Sequence, residues 1–373
     1  PSTTVVDDGC RRVVAHEHGA RDDGRRLHDV RRTDHHERLM RAVVLVGGFG
    51  TRLRPLTFTT PKPMLPVGHR PIVENLVRRL SSAGIEEVVL GLGFKPEPFI
   101  AAFPDGVCAG VRLHYAVEPE PLDTAGAIRF AAEHAGVDDT FVVVNGDVLT
   151  DLDVASLVAF HRAKNAEVTI HLTPVEDPSA YGVVAMSADG RVERFVEKPA
   201  PGTAPSNLIN AGTYVLEPSV LGRIPTGRKV SIERETFPAI VEDGRLYAMA
   251  TDDYWIDTGR PEPYLRANLD MIDGVRRVPK SPEIESGADV APSARVHHSL
   301  VSAGAQVASD ANIEDSVVLA SGRVGSGATI VRSIVMGSVG EGATITDCVI
   351  GAAGIVSPGV SLDSAFLPDP SGS

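Results

Sequence analysis

Ala42-Val43-Val44-Leu45-Val46 runs straight into Gly47-Gly48-Phe49-Gly50-Thr51-Arg52-Leu53-Arg54-Pro55-Leu56-Thr57, and Pro61-Lys62-Pro63-Met64-Leu65-Pro66-Val67 follows soon after. An unbroken apolar run of this length reads as a strand buried on both faces, as in a parallel sheet. The glycines behind it let the backbone turn tightly and bring N–H groups close to an anion. Arg52 adds a planar fork of donors and Lys62 a movable point charge, the two usual ways of holding phosphate oxygens. Pro61 and Pro63 stiffen the loop that carries Lys62. The string is not a P-loop, because no Gly-Lys-Ser/Thr ends it, and it is not a GxGxxG dinucleotide fingerprint. Its logic is the same: a strand, a glycine-rich turn and fixed cations.

Downstream, strands and helices alternate. Pro71-Ile72 opens a helix with apolar residues at 72, 76, 77 and 80, closing near Gly84. Val88-Leu90, Leu113-Val117 and Phe141-Val144 read as further strands, with helices over 124–134 and 154–164 between and after them. That alternation predicts an α/β domain with a mainly parallel sheet over residues 40–275.

Residues 284–362 differ in kind. They hold no aromatic residue, no lysine and only ten charges, too few for an ordinary surface. Apolar residues recur at Ile284, Val290, Val296, then Val301, Val307, Ile313, then Val318, Val324, Ile330 and Val335. The steps of six, six and five make a unit of 17 residues; Val335, Val339, Ile345 and Ile350 then close a shorter unit of 15. One inward side chain per hexad, with small residues between, predicts three short strands per turn of a triangular parallel β-helix over 284–363. Residues 276–283 are the expected linker and 364–373 a tail.

Residues 1–39 carry eight Arg, eight Asp plus Glu, five His and no aromatic residue. They have little to bury and are expected to be a disordered extension, with Met40 as a candidate true start. Their charges cancel, so the whole net charge of −13 resides in residues 40–373. Such an acidic chain is not expected to bind nucleic acid. No apolar run approaches the length of a membrane span, so no membrane partner is expected. Cys10, Cys108 and Cys348 lie far apart with no CxxC, which fits a reducing, cytoplasmic setting.

Gly48-x-Gly50-Thr51-Arg52-Leu53-x-Pro55-Leu56-Thr57 with Pro61-Lys62-Pro63-Met64-Leu65-Pro66 resembles the signature of the sugar-1-phosphate nucleotidyltransferases. The Pro-Lys-Pro form is most similar to the mannose-1-phosphate guanylyltransferase branch. The hexads resemble the hexapeptide-repeat, left-handed β-helix that many members carry. The resemblance implies a Rossmann-like catalytic domain and a reaction that joins a nucleoside triphosphate to a sugar 1-phosphate with release of pyrophosphate.

It also assigns expected roles. Arg52 and Lys62 are the catalytic cations. Gly47, Gly48, Gly50 and Thr51 hold the nucleotide, with Glu118, Thr124, Ala125 and Gly126 of the Glu118-Pro119-Glu120-Pro121-Leu122-Asp123-Thr124-Ala125-Gly126 segment. This chain has Asp123 where the family form has Gly, as a turn residue or as an acceptor for a hydroxyl or a guanine edge. Asp147, in Asn145-Gly146-Asp147, and Asp257, in Trp255-Ile256-Asp257-Thr258-Gly259, are the expected Mg²⁺ ligands. Gly182, the Glu197-Lys198-Pro199 segment and Asn210 fit the sugar-phosphate side.

GTP and mannose 1-phosphate are the expected substrates. ATP, UTP or dTTP and glucose, heptose or cyclitol phosphates stay open, as does a non-catalytic sugar-nucleotide-binding protein. Acyltransfer on the β-helix would rely on His297 or His298, and the flat β-helix sides suit contacts within a homo-oligomer. Ser231-Ile232-Glu233-Arg234-Glu235 reads as a structural helix start, and Cys108 and Cys348 as small apolar residues.

Overall fold

A computed structural model describes residues 40–93 and 96–371, so the expectations for 1–39 lie outside the described residues. The strands of the N-terminal α/β part are β1 Arg41–Leu45, β2 Pro66–Val67, β3 Arg70–Pro71, β4 Glu87–Leu92, β5 Val107–Cys108, β6 Val111–Val117 and β7 Phe141–Asn145. They continue with β8 Val148–Thr150, β9 Val168–Pro174, β10 Gly182–Met186, β11 Val192–Glu197, β12 Leu208–Leu216, β13 Leu246–Ala250 and β14 Trp255–Asp257. The helices are α1 Ile72–Ser82, α2 Glu97–Ala102, α3 Asp123–His134, α4 Val154–Lys164, α5 Phe237–Glu242 and α6 Pro261–Asp273.

The large sheet is mixed and mainly parallel at its centre. Its order is β11-β10-β12-β7-β1-β4-β6-β5, with β9 pairing β12 and β13 off that path. Strand β1 sits between β7 and β4, parallel to both. Its period of two is visible in the core: Ala42 and Val44 pack into one hydrophobic cluster with α1, and Val43 into the other with α3. Burial on both faces is why this strand reads as a continuous apolar run. The functional loops therefore leave the carboxyl ends of β1 and β7, side by side, where ligands of open α/β sheets bind.

The C-terminal part is a left-handed β-helix of three five-stranded parallel sheets. Asp289 pairs Gln306 and Gln306 pairs Arg323, a rise of 17 residues per coil; Arg323 pairs Ser338, the shortened coil, and Ser338 pairs Ile355. The interior cluster is built from the hexad residues, Val301, Val307, Ile313, Val318, Val324, Ile330, Val335, Val339, Ile345 and Ile350 among them. Phe366–Leu367 pairs Val349–Ile350, so the stack runs past residue 363 into the expected tail.

The two parts are fused. A single core cluster contains Tyr264 and Met271 of α6, Leu53 and Leu56 of the glycine-rich segment, and Leu300, Val317, Ile334 and Val349 of the β-helix. The linker is fastened down: Arg276 is buried and bonds Asp151 at 3.0 Å, and the Ser281 hydroxyl donates to the Gly68 carbonyl. No helix among the described residues is long and apolar enough to cross a membrane.

Candidate active site

The glycine-rich turn is shaped at Gly50, which has φ +60°. A Cβ there would lie 3.0 Å from Thr57 Cγ2, and the Gly50 carbonyl accepts from the Thr57 hydroxyl at 2.8 Å. Left-handed backbone favours glycine, and any side chain there would crowd Thr57 and Lys62. The turn places Thr51 and Arg52, both exposed, at the mouth of a cavity of about 290 Å³. Its walls also include Gly48, Lys62, Thr124, Asn145, Asp147 and Gly259.

The cavity floor is an ion cluster. Lys62 is buried, and its Nζ lies 2.8 Å from Asp147 Oδ2 and 3.7 Å from Asp257 Oδ1. The two carboxylates come together because β14 pairs antiparallel with β8, setting Asp257 opposite Val148. Thr258 locks the register by donating both its N–H and its hydroxyl to the Asp147 carbonyl. Burial first, and the Asp147 carboxylate next, push the Asp257 carboxyl above its ordinary range. A Cβ on Gly259 would sit 2.8 Å from Arg52 Nη2 and 2.8 Å from Asp257 Oδ1, so the absent side chain makes room for the guanidinium.

Two cations offset two carboxylates here, leaving little charge to hold a triphosphate. The donor set suits a hard divalent cation, which takes one or two carboxylates and completes its shell with phosphate oxygens and water. Among the described residues no group of three or more His, Cys, Asp or Glu offers an all-protein cage.

A second cavity, of about 250 Å³, shares Leu45, Gly48 and Thr124 with the first. Gly47, Gly93, Pro121 and Ala127 line it, and its carboxylates are Glu118 and Asp123. Glu118 is buried, which pushes its carboxyl up, and its Oε2 accepts from the Leu122 N–H at 2.9 Å. Asp123 has φ +62°, the left-handed region that favours the family's glycine, and its Oδ1 accepts from the Thr124 N–H at 2.8 Å. Ala125 and Gly126 line neither cavity: Ala125 is buried, and both N–H groups donate to the Val230 carbonyl.

At the β11 edge of the sheet, Gly182 pairs with Glu197 across β10 and β11. Any side chain at 182 would collide with Phe195 and with Glu197 Oε2, at 2.7 and 2.9 Å. Glu197 is half-buried, and burial, then the nearby Glu233 carboxylate, raises its carboxyl. Lys198 is exposed, with Nζ 3.6 Å from Glu197 Oε1. Asn210 is held internally: Nδ2 donates to the Tyr214 hydroxyl and Oδ1 accepts from the Gly212 N–H. Asn145 packs on Gly212, where a Cβ would lie 2.8 Å from Asn145 Nδ2. Sequence reasoning left Asn145, Gly259 and Glu233 without roles.

Residues 41–274 match the model of the nucleotidyl transferase family, and 284–365 match that of the GlmU-like C-terminal hexapeptide. The chain belongs to the nucleotidyl transferase family. It is a sugar-1-phosphate nucleotidyltransferase, and nucleoside triphosphates and sugar 1-phosphates are the substrates that fit the family, with a divalent metal.

The transferase is 44% identical over 261 residues to a mannose-1-phosphate guanylyltransferase of Mycobacterium tuberculosis, covering 68% of this chain and 72% of that protein. It is 41% identical to a probable mannose-1-phosphate guanylyltransferase 1 of Oryza sativa subsp. japonica, over 70% of this chain and 73% of that one. Among solved structures it resembles HddC from Yersinia pseudotuberculosis, with a TM-score of 0.54 at 30% identity over 62% of this chain and 98% of that chain. A putative glucose-1-phosphate thymidylyltransferase from Bacillus anthracis shares the fold, with a TM-score of 0.57 at 24% identity over 64% of this chain and 96% of that one.

Proposed function

We propose that the transferase joins GTP to mannose 1-phosphate, giving GDP-mannose and pyrophosphate with Mg²⁺. The observation that carries this is the cavity at the carboxyl end of the parallel sheet, lined by Arg52, Lys62 and Asp147, with Asp257 3.7 Å from the Lys62 ammonium. An oxygen of the sugar phosphate attacks the α-phosphorus in line. The new O–P bond forms as the bond to the β-phosphate bridging oxygen breaks, and pyrophosphate leaves with that electron pair. The attacking group is already anionic, so no covalent enzyme intermediate and no general base are needed. Catalysis reduces to positioning and to stabilising charge.

Arg52 and Lys62 stabilise the α-phosphate and the departing pyrophosphate. Asp147 and Asp257 would hold the Mg²⁺, whose charge would offset that of the phosphates. Lys198, free to swing from its exposed position, meets the incoming sugar phosphate, and Glu197 accepts sugar hydroxyls. Gly47, Gly48 and Gly50 bring backbone close to the nucleotide.

The guanine preference rests on the relatives and on the second cavity, whose carboxylates Glu118 and Asp123 are acceptors. Guanine presents two adjacent donors, N1–H and the 2-amino group, to such a pair. Adenine offers a single donor next to an acceptor, and uracil or thymine a donor between two acceptors. The β-helix takes no chemical part: the His298 ring nitrogens bond Asp315 and Asp273, at 2.5 and 3.1 Å. Its free faces serve contacts between copies of the chain, and the cytoplasm is the proposed compartment.

The test is pyrophosphate release with Mg²⁺, each nucleoside triphosphate in turn, and a panel of sugar and cyclitol phosphates. GTP with mannose 1-phosphate should give the highest turnover. Silence with every pair, from folded protein that binds a nucleotide, would favour a non-catalytic binding protein.

A further inference from the structure

The segment after Val230 was expected to be structural, yet it forms a π-helical turn, Ile232–Thr236, ahead of α5. Such turns carry an extra residue into a helix and are frequent at functional sites. The turn is stitched to the start of α3. Val230 donates to the Leu122 carbonyl and accepts from Ala125, and Ile232 N–H donates to the Thr124 hydroxyl oxygen at 2.9 Å. That hydroxyl in turn donates to Glu233 Oε2 at 2.8 Å, and the Ser231 hydroxyl donates to the same oxygen at 2.8 Å.

Glu233 thus has two neighbours of different kinds. Thr124 stands in the walls of both nucleotide cavities. The π-helical turn that carries Glu233 packs against β11, the strand that ends on Glu197, the carboxylate of the sugar side, and after burial the Glu233 charge helps raise the Glu197 carboxyl. The Tyr214 hydroxyl, which receives the Asn210 amide, feels both carboxylates. Glu233 is half-buried, and among the described residues its Oε1 accepts no hydrogen bond. Two neighbouring carboxylates repel each other until donors bridge them. A polyhydroxylated sugar supplies such donors, and hydrogen bonds to ionised acceptors are the stronger kind.

We propose that Glu233 is a positioning residue for the sugar side: pinned by the Thr124 hydroxyl, it sets with Glu197 the acceptor pair for the sugar hydroxyls. This rests on the sugar-1-phosphate reading of the Glu197-Lys198 segment.

The test is steady-state kinetics of the full chain with Mg²⁺ and the substrate pair of highest turnover, varying each substrate in turn. Glu233→Gln should raise the KM for the sugar 1-phosphate about tenfold, with the KM for the nucleotide within about twofold and an unchanged melting temperature. Thr124→Val should raise the same KM, and Thr124→Ser should restore it. The Thr124→Val/Glu233→Gln double variant should be no worse in sugar KM than the weaker single, because the two act through one link. A wild-type sugar KM in Glu233→Gln overturns the proposal. So does a rise in both KM values with a fall in melting temperature, which marks a purely structural role. If the wild-type chain turned over no pair, the reaction reading would fail on its own. Calorimetric binding of mannose 1-phosphate to wild type and Glu233→Gln would then decide: tenfold weaker binding supports the proposal, and equal binding, or none to wild type, overturns it.

Discussion

The catalytic domain and the β-helix use their residues in opposite ways. In the β-helix every coil repeats one solution: an apolar side chain points inward from each short strand, and the coil above repeats it. Even the polar positions repeat. The hydroxyl oxygens of Ser299, Ser316 and Ser333 each accept a backbone N–H from the next coil at 3.0 Å, and Cys348 takes the place of the next serine, its Sγ accepting from Ala365 at 3.4 Å. In the catalytic domain the informative residues occur once and break the burial rules. Lys62 is a buried lysine held between two carboxylates, and Asp257 is a half-buried carboxyl pushed up. Repetition marks a scaffold, and single violations held in place by packing mark chemistry.

The largest test of that contrast is Arg52→Ala. It should lower kcat/KM by roughly a thousandfold or more, the scale of removing an arginine that stabilises a phosphoryl-type transition state. Its melting temperature should stay within about 2 °C of wild type, since the side chain is exposed and buries little. Near-normal turnover would remove Arg52 from the chemistry. Ile330→Ala is the mirror image. Ile330 is fully buried inside the β-helix, so its truncation should cost roughly 2–5 kcal/mol in denaturant unfolding. Turnover per folded molecule should hardly change; a loss of turnover at full stability would give the β-helix a catalytic part.

The contrast is sharpened where the two regions touch. A Cβ on Gly351 would lie 2.8 Å from both Pro55 Cβ and the Pro55 carbonyl oxygen, three residues beyond Arg52. Gly351→Ala should therefore cost about 1–3 kcal/mol by overpacking, and also reduce turnover as the Arg52 segment shifts. Stability lost with wild-type kcat would show that the loop absorbs the push. The smallest effect is expected for Cys348→Ser, which restores the serine ladder. Its unfolding free energy should change by less than about 1 kcal/mol, in the stabilising direction, with activity unaltered.

The β-helix was legible nearly in full, because its period survives in the sequence and each coil pairs with residues 15 or 17 positions away. The parallel centre of the sheet was legible too, since β1, β4 and β7 are buried on both faces and read as apolar runs. The antiparallel flank was not. Strand β9 carries His171 and Thr173 among its buried residues, and β12 changes register between Asn210 and Tyr214, so neither shows a clean period.

The same division holds at the site. Arg52, Lys62, Asp147 and Asp257 stand in short motifs visible in the sequence, and the structure brings Asp147 and Asp257 to 2.8 and 3.7 Å from the Lys62 ammonium. The part played by Gly259 was not visible, because its purpose is to leave space for an arginine some two hundred positions earlier. Glu233 lay hidden because its partner Thr124 is 109 positions away and a π-helical turn breaks helical spacing. The boundary at 363 fell short because the last coil ends on Phe366–Leu367, where an aromatic residue departs from the hexad pattern.

The most direct measurement compares GDP-mannose formation, followed by mass spectrometry in a single turnover with GTP, mannose 1-phosphate and Mg²⁺, between wild type and Asp257→Asn. Asp257 is half-buried and its carboxyl is already pushed up, so the neutral amide should be tolerated by the fold. The expected result is product from wild type, and formation slower by about a hundredfold or more in the variant, at an unchanged melting temperature. Product forming at the wild-type rate in Asp257→Asn would contradict the assignment of the chemistry to this cavity.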